Sequence, residues 1–143
     1  MGCDMHVYVP DGDADISWSY STFNRIRARI ILEFVKLHGD EPLDLTDDER
    51  FALLLGMLSS SLSVKIAKML EDMCTPESEA MLDLLNHSDC EGVYYDETCE
   101  GLCSALKDVI AHLDEDDKDR DYIIQFYELY RHAFEKDGIV VVY

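Results

Sequence analysis

Apolar residues recur every three or four positions in segment after segment of this chain, and each such segment opens or closes on a capping or turn-forming residue. That period belongs to the α-helix, so the chain must fold by packing helices through apolar stripes. From Ser21, the residues Phe23, Ile26, Ile30 and Phe34, joined by Ile31 and Leu37, form a wide stripe that Gly39 ends. "EPLDLTDDER" is a connection closing on a capping box, Thr46 followed three positions on by Glu49. The stretch "FALLLGMLSSSLSVKIAKMLEDM" then reads as long and helical, with a possible break at the serines of 59–61, because serine favours caps and turns. Thr75-Pro76 opens a helix to about Asn86, a cap followed by proline at the first helical position. Thr98 and "CEGLCSALKDVIAHL" give another helix. "DEDDKDRD" is a charged connection, and "YIIQFYELYRHAFEK" is the last helix, with Tyr122, Phe126, Leu129 and Ala133 along one side.

The two ends of the chain follow a different rule. "CDMHVYV" alternates, with Met5, Val7 and Val9 on one face and His6 and Tyr8 on the other, so it reads as a strand ended by Pro10. "DGDADISWS" reads as a polar loop, "EGVYYDE" as a short strand or extended arm, and "GIVVVY" as a closing strand beside the first. The expectation is a mostly helical α+β fold, one domain over 1–143, with a small sheet pairing the N- and C-terminal strands. A chain of 143 residues, 48% hydrophobic, is long and apolar enough for one real core.

Charge narrows the choice of partners. The chain has 31 acidic residues against 12 basic ones, a formal charge of -19. Such a field repels phosphate, which argues against direct binding of nucleic acid or an anionic membrane. It suits a bound cation, a protein partner with a basic surface, or mimicry of a nucleic-acid backbone; it also serves solubility by itself. Acidic rows lie at Asp44, Asp47, Asp48 and Glu49, and from Asp114 to Asp121. Five cysteines form no even framework, the opening lacks a basic signal-like region, and no apolar run approaches membrane-spanning length. Reduced thiols in a cytoplasmic protein are therefore expected.

Two stretches carry residue types that do chemistry. In "LLNHSDCEG", His87 and Cys90 stand three apart at a helix end, and Cys3 and His6 stand three apart at the start of the chain. Together they have the donor types of a tetrahedral zinc site, but on a strand Cys3 and His6 face opposite sides. Asp4 and His6 share a strand face, and with His87 and Asp89 they make a mixed set suited to a divalent cation or an acid–base pair. The metal-ligand candidates are thus Asp4, His6, His87, Asp89 and Cys90, with zinc or another divalent metal as the cofactor. The competing account has Asn86, Ser88 and Asp89 closing a helix, Cys90 buried and Gly92 permitting the turn. In "SWSYSTFNRIRAR", Arg25, Arg27 and Arg29 concentrate three of the 12 basic residues at a helix start. Ser21, Asn24, Arg25 and Arg29 are the candidates for a phosphate, nucleotide or carboxylate. The plainer account pairs Arg29 with Glu33 one turn on. "DKDRDYIIQFYE" resembles a calcium loop in its acids alone, since Tyr122 stands where glycine is required, and "DGDADISWSYST" lacks the closing glutamate.

"MGCDMH", "YSTFNRIR", "HSDCEG" and a last helix running into "GIVVVY" together resemble a group of small bacterial and phage proteins with no assigned activity. The resemblance implies a phage or mobile-element accessory and carries over no catalytic residue. No nucleophile–base pair, phosphate loop or dinucleotide fingerprint is readable. Two functional readings follow. The first is a noncatalytic acidic protein that binds a basic protein site, as a nucleic-acid mimic or defence antagonist. The second is a small-ligand, metal-binding or hydrolytic domain whose site joins the N-terminal strand, "HSDCEG" and the arginine-rich helix start.

Overall fold

The computed structural model describes residues 2–8, 14–39, 43–86, 92–94, 96–136 and 138–142, with side chains from Ile16 onward save at 20, 92–97 and 142. In chain order the elements are β1 (Gly2–Tyr8), β2 (Ala14–Ser19), α1 (Tyr20–His38), α2 (Asp47–Leu54), α3 (Ser60–Met73), α4 (Pro76–Asn86), β3 (Gly92–Tyr94), α5 (Asp96–His112), α6 (Arg120–Glu135) and β4 (Ile139–Val142). The mostly helical character expected from the periodicity holds.

Local chemistry sets most helix ends. Ser19 caps α1, its Oγ accepting from Thr22 N–H at 3.2 Å, and Gly39 follows the last residue. The serine cluster ends the ambiguity of the long apolar stretch. Ser59 caps α3 by accepting from Leu62 N–H, so α2 and α3 are separate helices. Thr75 and Ser78 cap α4 reciprocally, each hydroxyl accepting the other's N–H at 3.0 Å.

The strands lie in the order β2-β1-β4-β3, every neighbouring pair antiparallel. β2 corrects the sequence reading, which made "DGDADISWS" a loop: Ala14–Ser19 is a strand paired with β1 from Gly2↔Ser19 to Val7↔Ala14. Its period of two puts Ile16 and Trp18 on one face with a serine either side of Trp18, and the polar alternates hid the apolar ones. Trp18 is buried and explains the strand's position. Its ring stacks on Phe126 of α6, centroids 5.9 Å apart, and meets Tyr122 edge-on at 5.7 Å.

α6 lies against β2, β1 and β4, α1 touches β1 and β2, and α5 packs between α6 and α4. One hydrophobic cluster runs through these layers. It takes Phe23, Ile26, Ile30, Ile31 and Phe34 from α1, Leu62, Ile66 and Leu70 from α3, and Ile123, Phe126 and Tyr130 from α6. Cys99 and Cys103, one turn apart on α5, face this interior. Cys99 is fully buried, and burial pushes the Cys103 thiol up to about 12. Among the described residues, no helix is long and apolar enough to cross a membrane.

α4 and α5 approach closely at Gly101 of α5, where an added Cβ would lie 2.7 Å from the Pro76 carbonyl oxygen and 2.9 Å from the Ala80 Cβ. Gly101→Val should therefore force α4 and α5 apart and lower stability by about 1–3 kcal/mol. A urea midpoint equal to that of the native protein would refute this close packing.

Candidate functional site

The arginines nominated from sequence lie one turn apart on α1, and their guanidinium groups meet carboxylates of the chain itself. Arg25 donates from Nη1 to Asp119 Oδ1. Arg29 donates to Asp117 Oδ2 at 2.7 Å, to Asp119 Oδ2 at 3.2 Å and to Glu33 Oε1 at 3.1 Å. Asp119 is 3% exposed, and its own N–H donates to Asp117 Oδ1 at 2.9 Å. That backbone bond first, and Arg29 next, hold the Asp117 acid below the usual carboxylate range. Burial works against the Arg29 charge, but Asp117 and Glu33 outweigh it and leave its pKa raised. The Arg25 guanidinium also stands 5.6 Å from the Tyr122 ring centre. Ser21 is exposed, and Asn24 Oδ1 accepts from Arg27 Nη2 at 2.9 Å. Of the four nominated anion ligands, Arg25 and Arg29 thus converge on the α5–α6 connection, while Ser21 and Asn24 stay with the start of α1.

This clamp sorts the acidic row of 114–121. Asp117 and Asp119 turn inward to the arginines, whereas Asp114, Glu115, Asp116 and Asp121 are exposed. Asp114, Glu115 and Asp116 therefore sit on a connection fastened to α1, not on a free loop, and Asp121 lies in the first turn of α6.

Asp4 and His6 lie in β1, opposite Ser17 and Asp15 of β2, with His6 also opposite Val141 of β4. Their side chains, like Cys3, and all of His87, Asp89 and Cys90 lie outside the described residues. Among the described residues, no three His, Cys, Asp or Glu side chains group as metal ligands.

Sequence reasoning missed a third region, α2, which is inverted relative to an ordinary surface helix. Its buried residue is an acid: Glu49 is 1% exposed, although the sequence placed it in an acidic surface row. Glu49 Oε1 accepts from Thr46 N–H at 2.9 Å and from Lys65 Nζ at 2.8 Å, and Oε2 accepts from Ser61 Oγ at 2.7 Å. Lys65 also donates to the Asp44 carbonyl at 3.2 Å. Lys65 foremost, then the Thr46 backbone and Ser61, bring the Glu49 acid down from 4.5 to about 2. Leu53 packs against the core, but the larger part of the apolar run faces out: Phe51 is 63% exposed, Leu54 85%, Leu55 63% and Met57 57%, with Val64 of α3 at 71%. Phe51, Leu54 and Leu55 stand at i, i+3 and i+4, on one face. The sequence signal was "FALLL" itself, five apolar residues in succession on a helix too short to bury them all.

Gly56 joins these regions. It has φ +76, and an added Cβ would meet Arg25 Cβ at 3.1 Å. The α2–α3 turn therefore rests on the stem of the arginine whose head holds Asp119. An open depression beside it is lined by Asn24, Arg27, Met57, Leu58, Ser63 and Leu85.

No protein-family model, no curated protein and no solved structure matches this chain.

The Glu49 acid is depressed in the fold, so its ionised form stabilises the protein above pH 4.5, and that contribution fades as pH falls towards about 2. Glu49→Gln should be less stable than the native protein at neutral pH, and the gap should close between pH 4.5 and about 2. Urea midpoints of both proteins across that range check this; a gap independent of pH would refute the ion-pair anchor.

Proposed function

We propose that this is a noncatalytic, acidic protein-binding domain that engages a basic site on another protein, in the manner of a nucleic-acid mimic. A phage or mobile-element accessory that antagonises a host defence would use such a surface. The carrying observation is the α5–α6 connection. Arg25 and Arg29 fasten it through Asp117 and Asp119, leaving Asp114, Glu115 and Asp116 exposed on a chain of formal charge -19. Charges held in place lose less conformational entropy on binding than charges on a loose loop, and an acidic field speeds encounter with a cationic partner.

The test is competition. The protein should displace labelled duplex DNA from a basic DNA-binding domain, and its affinity for that domain should fall at least about tenfold between low and high salt as screening sets in. Replacing Asp114, Glu115 and Asp116 by Asn, Gln and Asn should weaken the competition without changing the melting temperature. Salt-independent binding, or direct binding of the DNA by this protein, would overturn the proposal.

A further inference from the structure

We propose that the outward face of α2 and of the turn that follows it, with Phe51 and Leu54 from the helix and Leu55 and Met57 from the turn, is a docking surface for an amphipathic basic helix of the partner. The inference rests on the acidic protein-binding reading and adds to it an apolar anchor and the shape of what is bound.

Three observations lead there. First, α2 turns Glu49 and, one turn on, Leu53 toward the domain and leaves Phe51 and Leu54 in solvent, with Glu49 at 1% exposure against Leu54 at 85%. A contiguous apolar cluster left outside marks an interaction surface. Second, the stripe has a charged end. Asp47 and Asp48, both exposed, precede Phe51 by four and three positions and Leu54 and Leu55 by seven. They share the face of those side chains, so the surface reads acid, aromatic, leucine along one helix. Third, Arg25 brings the two surfaces together. Its stem supports Gly56, between Leu55 and Met57, and its head binds Asp119 in the acidic connection. Arg25 thus touches the turn that follows the apolar face and ties down the connection that carries the exposed Asp114, Glu115 and Asp116.

This arrangement selects the occupant. A second copy would bring another formal charge of -19 against the same rim, which opposes self-association. An anionic lipid surface meets the same repulsion. A helix with leucine-type anchors on one side and Lys or Arg along its flanks satisfies both features, in the helix-in-groove mode of recognition.

The experiment uses the full chain and two probes. One is a peptide of about 18 residues, leucine at i, i+3, i+4 and i+7 spacing and lysine elsewhere, long enough to be helical when bound. The other is poly-lysine, which carries charge without an apolar face. The peptide should bind one-to-one and gain helicity, and a scrambled peptide of equal composition should bind at least about tenfold more weakly. L54S with L55S should lose the peptide by a similar factor and keep its affinity for poly-lysine; F51S repeats the test at an independent position. All three residues are exposed, so the variants should melt no lower than the native protein. Equal peptide affinity in the native protein and these variants, with poly-lysine still bound, overturns the docking surface alone. Failure of the native protein to bind either probe overturns the acidic reading beneath it. Sedimentation showing a native dimer that L54S with L55S disperses would assign the face to a second copy and overturn the proposal.

Discussion

Asp119 has its carboxylate out of water, and the structure around it is arranged so that this charge is never alone. A buried carboxylate costs several kcal/mol unless partners replace its hydration. Arg25 and Arg29 supply them from one face of α1, and both arginines reach α1's neighbour across the chain because the α5–α6 connection folds back upon that helix. The requirement propagates. Asp117 is drawn in beside Asp119 and accepts its N–H, which fixes the turn that leads into α6. α6 then carries Tyr122 and Phe126 to Trp18, and so positions β2 against the helical layer. On its other side the Arg25 stem meets Gly56 and sets the height of the α2–α3 turn. Removing both arginines would strand a buried charge, which costs far more than an exposed ion pair contributes.

The sequence made the helices legible because their signals are local. Thr46 with Glu49, Thr75 before Pro76, and the stripe from Phe23 to Phe34 each act within a few residues, and each is found as read. β2 was not legible, because its one large apolar residue, Trp18, stands between two serines and gains its meaning from Phe126, more than a hundred positions away. The arginine cluster was half legible. The pairing of Arg29 with Glu33 follows from helix spacing, whereas Asp117 and Asp119 become its partners through the fold. Position in sequence likewise gave no sign that the acidic row of 114–121 divides into inward and outward members. The candidate metal ligands at "HSDCEG" rest on the sequence, since they lie outside the described residues.

α2 was misjudged for a more instructive reason. A continuous apolar run suggests a buried helix, and a glutamate in a capping box suggests an exposed one, so each signal predicts the opposite face from the one observed. The resolution lies in Glu49's double duty: the geometry that lets it reach back to Thr46 N–H also lets Lys65 and Ser61 reach it from α3. Once that side is turned inward, Phe51, Leu54 and Leu55 have nowhere to go but outward.

Such an inversion is not free. Burying a leucine or phenylalanine side chain is worth about 1.5–3 kcal/mol, so rolling α2 half a turn would offer a substantial hydrophobic gain. Two features oppose the roll. It would separate Glu49 from Lys65 and Ser61, and disturb a left-handed turn at Gly56 seated on Arg25. The lone domain therefore keeps apolar surface in water because polar ties fix the helix in that orientation. The hydrophobic gain forgone in folding remains available on association, where a partner supplies the missing cover. With carboxylates at the head of the same face and along the connection beyond Arg25, the cover that recovers most of that gain is apolar at its centre and positively charged at its margins.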